Sequence, residues 1–455
     1  MGILETIGMS NEISPFHMNT GTLFDMATGE FRAGTKHNSV LNGGISFCMG
    51  ISGRQQTFKS NIAGSLVARS MMIHPQAEAI VYDTENSVTG AWRYDDFVPQ
   101  DSPISERVSF LNSASMDLTD FHENVLKKLS EKKMTNKKDY LVDSPFLNPR
   151  TGKPFKTWIP TFVLIDSFSQ AMGKGTLEQF EKNEVDSSGM NTAAIKDGGI
   201  KTRIMQDITQ RAARVGIYII LTAHIADALQ LDPYHPVSKQ LQYMKQQDRL
   251  KNVGNKFAFL TSSLVQTIKA EALQDSNKQC LYPNVRSRPN EVNLINTIVQ
   301  RGKTNFSGEV LPFVVTPKQG ILASVTNFHF LREHKNFGLK VEGNNQYFTP
   351  LFNPNPVKLS RQNIRKVTDE DRRTARALEL TMQLGYIQLC WDTFRLPEYL
   401  FTPIEKIGEM LTHDEKGCVD RILESTGQWS TSKQDREYLS ILDVMSILFK
   451  EDKKK

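Results

Sequence analysis

Gly53-Arg-Gln-Gln-Thr-Phe-Lys59-Ser60 lies between a short apolar run, Ile45 to Met49, and a stretch from about Lys59 to Met72 whose apolar residues recur at helical spacing. A glycine closing a strand, with Lys-Ser opening the helix that follows, is the arrangement of a phosphate-binding loop. Backbone N–H groups wrap the phosphates and the helix N-terminus faces them. The sequence departs from GxxxxGK[ST] at one place, where Phe58 stands for the second glycine. Phe58 is therefore expected to keep an ordinary φ while its neighbours supply the N–H groups. The candidate cofactor-binding residues are Gly53, Arg54, Gln55, Gln56, Thr57, Phe58, Lys59, Ser60 and Asn61. Lys59 would meet the β/γ-phosphates and Ser60 would ligate Mg²⁺. An accidental strand-to-helix turn has the same local signature, so the surrounding elements must decide.

Outward from the loop, Ala79 to Tyr82, Phe162 to Ile165 and Ile217 to Thr222 read as short buried strands. Between them, Phe121, Val125 and Leu129, and then Ile204, Ile208 and Ala212, repeat every four residues as one helical face requires. This rhythm predicts an α/β fold, a mainly parallel sheet with helices on both faces. Phe257 to Lys269, Val292 to Gln300 and Val310 to Val315 read as a meander that extends the sheet to about Leu322, after which Arg361 to about Phe449 turns helical. The expected parts are an N-terminal arm, 1–40, a core, 41–325, a linker, 326–360, and a small C-terminal helical domain, 361–455. Two connections, about 168–200 and 225–256, read as long loops, and loops of that length are usually functional.

Composition narrows the classes. With 455 residues, 39% hydrophobic and 23% charged, the chain is globular rather than disordered or fibrous. Lys plus Arg is 55 against 50 for Asp plus Glu, a net charge of +5, so a nucleic-acid surface must be local. The four cysteines, 48, 280, 390 and 418, form no CxxC pair, which excludes a zinc ribbon or a disulfide framework and suits a reducing, cytoplasmic setting. No apolar run approaches the roughly 20 residues of a membrane span, so no membrane partner is expected.

Several strand ends carry chemistry. Asp166 closes Phe162-Val-Leu-Ile165 and reads either as a Walker B acid orienting Mg²⁺ or as a solvated turn residue. Tyr82-Asp-Thr-Glu85 ends in two carboxylates; Glu85 would act on an attacking water if its strand adjoins the phosphate loop, and is otherwise a surface acid. His224 closes Ile219-Ile-Leu-Thr222-Ala as a γ-phosphate sensor or a backbone-bonded strand cap. Arg301 and Lys303, in Gln300-Arg-Gly-Lys303, are candidate fingers for a neighbouring subunit's nucleotide, with a plain surface pair as the alternative. The second long connection interleaves rings and cations, Tyr234, Lys239, Tyr243, Lys245, Arg249 and Lys251, a pattern suited to stacking bases and neutralising phosphates. The first is glycine-rich and not basic, and a third basic stretch from Lys132 to Lys156 reads as a solvated hairpin.

Together these elements resemble the RecA superfamily, and most closely the bacteriophage UvsX-type recombinases, through Thr57-Phe-Lys-Ser-Asn61, Tyr82-Asp-Thr-Glu85, Ile165-Asp166-Ser167 and the strand ending at His224. The likeness spans about 40 to 322. It implies a RecA-like ATPase core using ATP and Mg²⁺, with Lys59 as phosphate lysine, Ser60 and Asp166 at the magnesium and Glu85 as catalytic glutamate. It also implies single- and double-stranded DNA as partners, self-association into a helical filament for homologous pairing and strand exchange, and mediator or single-strand-binding proteins in a host cytoplasm. A hexameric RecA-like replicative helicase is the alternative that Arg301 to Val310 suggests, and a hydrolysis-deficient DNA-binding scaffold is the one that Phe58 suggests.

Overall fold

A computed structural model describes residues 12–452, apart from 87–89, 183–188, 229–236, 255, 285–286, 303–306, 335–336, 338, 343–344, 349–350, 353–356, 392–395 and 413–416. Its strands, in chain order, begin with β1 (Glu30–Ala33), β2 (Ser39–Asn42), β3 (Cys48–Gly53), β4 (Glu78–Asp83), β5 (Val108–Asn112), β6 (Leu141–Leu147), β7 (Pro154–Trp158) and β8 (Thr161–Asp166). They continue with β9 (Ile217–Asp227), β10 (Asp248–Leu250), β11 (Ser263–Ala272), β12 (Asn293–Gly302), β13 (Val310–Thr316), β14 (Gly320–Ile321) and the antiparallel pair β15 (Leu339–Glu342) and β16 (Asn345–Phe348). The helices used below are α1 (Leu23–Ala27), α2 (Lys59–Ile73), α3 (Lys174–Lys182), α4 (Gly189–Val215), α5 (Phe257–Leu260), α6 (Ala323–Glu333) and α7 (Arg372–Cys390).

A ten-stranded sheet has the order β14-β13-β12-β11-β3-β9-β8-β4-β5, with β10 paired to β9 off this path. From β11 to β5 every neighbouring pair is parallel, and β11 to β14 form an antiparallel meander. All six residues of β3 and of β8 are buried, which a strand achieves only when both sheet faces are covered. Alternation divides the side chains between two cores. Met49, Ile51, Phe162, Leu164, Tyr218 and Ile220 face α2 residues such as Ile62 and Leu66. Cys48, Val163, Ile165, Ile217, Ile219 and Leu221 face Ile204, Ile208 and Ala212 of α4. The mainly parallel sheet with helices on both faces, plus C-terminal helices, is thus the architecture.

Several local expectations change. Phe257 to Leu260, read as the start of a strand, is the helix α5, and β11 begins only at Ser263; the strand expected to close at His224 continues to Asp227, where it pairs with β10. The run at Ile45 to Met49 becomes a strand only from Cys48, because Ile45 instead bridges Met18. The connection 168–200 is largely helical: α3 and the 27-residue α4 occupy it. Gly198 and Gly199 are tolerated inside α4 because helix propagation from a packed segment outweighs about 1 kcal/mol per glycine. In the basic stretch, β6 and β7 do form a hairpin, but Lys133 is buried, donating to the Ile159 carbonyl at 2.7 Å and to Thr161 Oγ1 at 3.1 Å.

The N-terminal residues and the C-terminal region meet on one face. Phe16 stacks on Phe146 at 3.9 Å with Trp429 edge-on at 6.2 Å, Ser39 N–H donates to Asp443 at 2.8 Å, and Leu41 N–H donates to the Tyr438 hydroxyl at 2.9 Å. His74, fully buried just past α2, accepts at Nδ1 from Thr431 N–H at 3.2 Å and packs on Trp429. Burial pulls its pKa down to about 3. A histidine depressed in the folded state contributes stability that is full above its unfolded value near 6.5 and is lost as pH falls toward about 3. The stability difference between the wild type and His74→Gln should therefore shrink on acidification, by up to about 1.4 kcal/mol per pH unit below 6.5. Denaturant melts at pH 7.5, 6 and 5 measure it, and a constant difference would contradict the neutral buried ring.

Candidate active site

The parallel strands place their C-terminal ends on one edge, where ligands of open α/β sheets bind. Register aligns Gly53 with His224 and Asp83 with Asp166. At the end of β3 a Cβ on Gly53 would lie 1.8 Å from Thr267 Oγ1, so only glycine fits. Thr57 then fixes the loop, its hydroxyl 2.7 Å from the Arg54 carbonyl and 2.6 Å from Thr267 Oγ1.

Phe58 does not keep an ordinary φ. It adopts φ +59°, as does Gln56, and caps α2 from the left-handed region. The turn into the helix imposes this conformation, at a cost of about 1–2 kcal/mol for a residue other than glycine. The half-buried ring packs against the core, which helps to offset that cost.

Lys59, 7% exposed, donates from Nζ to the Arg54 carbonyl at 2.8 Å. Burial lowers its pKa, opposed by the charges of Asp166 and Glu85. Asp166, also buried, accepts from Thr222 Oγ1 at 2.5 Å and from the Ser60 hydroxyl. Burial raises its pKa, and those two hydrogen bonds pull the other way. Ser60 and Asp166 thus present two adjacent oxygens, the donor type that Mg²⁺ takes.

Glu85 Oε1 lies 2.6 Å from His224 Nε2, and the Glu85 N–H donates to Asp83 Oδ1 at 3.0 Å. Thr84 ties the β4 and β8 ends together: its hydroxyl donates to the Ser167 carbonyl at 2.7 Å and accepts from Ser167 N–H at 2.8 Å. The cleft above these groups has a volume of about 890 Å³ and is lined by Gln55 through Asn61, Glu85 and His224. That is within the size range of nucleotide and cofactor sites. Asn61 lines it too, although its amide donates to the Pro317 carbonyl at 2.8 Å.

Sequence reasoning missed several participants. Gln170, Ser113 and Asp117 also line the cleft, from connections without a motif. Arg54 was named for the nucleotide, but here it turns outward to Asp227 at 2.5 Å and Asp248 at 2.8 Å. Asp248 also accepts from Gln266 Nε2 at 3.0 Å, and Gln266 Oε1 accepts from Gln300 Nε2 at 2.6 Å. One polar chain therefore runs from the phosphate loop to the residue before Arg301.

Arg301 is outside the cleft. Its guanidinium donates to the Ala258 and Phe259 carbonyls at 2.7 and 2.6 Å and stacks 4.9 Å above the exposed Phe259 ring. Lys303 and Tyr234 lie outside the described residues. Lys239, Tyr243, Lys245 and Lys251 are exposed around β10, and Tyr243 packs so closely on Gly308 that a Cβ there would sit 2.8 Å from the ring. Arg249 is spent on structure, donating to the carbonyls of Gln246, Asp248 and Ser238. No helix among the described residues is long and apolar enough to cross a membrane.

No family model and no curated protein matches the chain. Among solved structures it is similar to the RadB recombinase, with 12% sequence identity and a TM-score of 0.33, over 62% of this chain and 92% of that one.

Proposed function

We propose that this chain is an ATP-dependent, single-stranded-DNA-binding recombinase of the RecA type. The observation that carries the reading is the convergence of Lys59, Ser60, Glu85, Asp166 and His224 at the strand ends beneath one cleft. Lys59 exchanges the Arg54 carbonyl for the β/γ-phosphates, Ser60 and Asp166 hold Mg²⁺, and Glu85 receives the proton of the attacking water. The bound Mg²⁺ neutralises charge on the phosphates. His224 holds Glu85 until the γ-phosphate competes for its ring.

In this reading the core runs over 41–325, with 326–360 linking it to the helical region 361–455, and the protein works in a host cytoplasm on single- and double-stranded DNA with mediator or single-strand-binding proteins. Subunits stack head to tail into an open helix, and Arg301 and Lys303 reach the neighbour's nucleotide. The test is ATP hydrolysis with and without single-stranded DNA, alongside electron microscopy with a non-hydrolysable analogue. DNA-stimulated hydrolysis and filaments are expected. Closed six-membered rings would favour the helicase, and DNA binding without turnover the scaffold.

Lys239, Lys245 and Lys251 are exposed on the connection that follows β9 and are the proposed phosphate contacts. Replacing all three with alanine should flatten the log-log salt dependence of single-strand binding by about 0.7 per lost contact. Tyr243→Ala should weaken binding by about 1–3 kcal/mol with little change in slope, because stacking releases no counterions. Fluorescence anisotropy from 50 to 300 mM salt reads both, and an unchanged slope in the triple variant moves the DNA surface elsewhere.

A further inference from the structure

A second cavity, of about 180 Å³, lies at the opposite end of α2 from the phosphate loop, where that helix meets α6, α7 and the segment around Arg436. At about 1.5 Å per residue, the fifteen residues of α2 separate the two sites by about 20 Å. Arg69, Arg372, Arg376 and Arg436 line the cavity, with Glu379 as the one lining carboxylate among the described residues.

Few of these charges are compensated. Glu379 is engaged by Arg376 at 2.8 Å and by Gln428 Nε2 at 2.6 Å. Among the described residues no carboxylate pairs with Arg69, Arg372 or Arg436 within 4.0 Å; Arg69 donates to the Thr20 and Gly21 carbonyls, and Arg436 to those of Glu424 and Ser425. Behind Gly21, Asp25 accepts from the Thr20 and Gly21 amides at 2.9 and 2.8 Å. Burial pushes its carboxyl up to about 7, so it compensates Arg69 only in part. Arg376, 3% exposed, leaves its buried Nε without a partner, as Asn327 does its Oδ1. Burial and the charges of Arg372 and Arg376 bring Arg436 down to about 10.

Four guanidinium groups around one small cavity repel one another. An oxyanion in the cavity relieves that repulsion. Guanidinium forks match phosphate geometry, and the volume exceeds the roughly 30 Å³ of a water several-fold, enough for one phosphate group with part of its shell. We propose that this cavity binds a phosphate group, as inorganic phosphate or as the terminus of a nucleoside monophosphate, and so bridges α2 to the C-terminal helices.

The experiment is calorimetric titration of the full chain at constant ionic strength, performed in a Lys59→Ala background so that the phosphate loop does not contribute. Inorganic phosphate and AMP are titrated in separate arms, which distinguishes the two sources. Binding by at least one is expected, with Arg372→Ala weakening it about tenfold and Arg372→Ala/Arg436→Ala about a hundredfold. Among the described residues Arg372 makes no ion pair and its side chain is exposed, so its single variant removes no native ion pair and separates binding from folding. Absence of binding in both arms, or unchanged affinity in the Arg372→Ala protein, would overturn the proposal. Neither result bears on ATP hydrolysis, so the nucleotide reading stands or falls separately.

Discussion

Lys59→Ala is expected to lower the ATP hydrolysis rate by about a thousandfold while leaving the protein folded. Among the described residues Lys59 is the one lysine or arginine lining the cleft, and a cation aimed at transferring phosphates acts where charge develops. Losing about 4 kcal/mol of that stabilisation corresponds to about three orders of magnitude in rate. The fold has little to lose, because among the described residues the Lys59 ammonium makes one hydrogen bond, to the Arg54 carbonyl, and is held in a position that burial disfavours. Removing it spares that desolvation. Steady-state phosphate release and a thermal melt, run on the same preparation, separate the two effects. A rate within tenfold of the wild type would remove the nucleotide from this cleft.

The parts of this site that could be read from sequence are those delivered by parallel strands. A buried strand announces itself by an apolar run, and the polar residues that follow mark the edge where a ligand binds, so Asp166 was visible as a strand end and Glu85 just past one, whereas the strand expected to close at His224 runs on to Asp227. Their convergence followed from strand order, with β3 between β9 and β11 and β8 between β9 and β4. Thr222 was half legible, since period-two alternation points it to the same side as His224, yet its bond to Asp166 depends on pairing between strands far apart in sequence.

Other features depend on tertiary context. Phe58 contradicts its own local preference because the turn from β3 into α2 sets φ whatever residue occupies it. Arg54 belongs to the phosphate loop by position but is drawn to Asp227 and Asp248, 173 and 194 residues away. Nothing local encodes that choice. The helix α4 was only half hidden: its second half was visible in the spacing of Ile204, Ile208 and Ala212, while Gly198 and Gly199 argue for a loop over the first half, which persists as helix because it continues a segment packed on the sheet.

Glu85→Gln should separate binding from chemistry. The amide keeps the shape of the side chain and can still hydrogen-bond to His224, now 2.6 Å from Oε1, so the cleft retains its form and its affinity for ATP. What it loses is the ability to take a proton, and removing a general base typically costs about 10²–10⁴ in rate. The turnover number should therefore fall by at least about a hundredfold with KM and the binding constant within about threefold of the wild type. His224→Ala supplies the contrast. It frees Glu85 without removing the base, so hydrolysis persists, while stimulation by single-stranded DNA falls if the histidine links the γ-phosphate to the connection that begins after β9. Fluorescent-nucleotide titration and steady-state kinetics on the two variants read all of these quantities. Equal losses of affinity and turnover in Glu85→Gln would assign Glu85 to holding the nucleotide, and the base would then have to be sought among Asp117 and the other acids near the cleft.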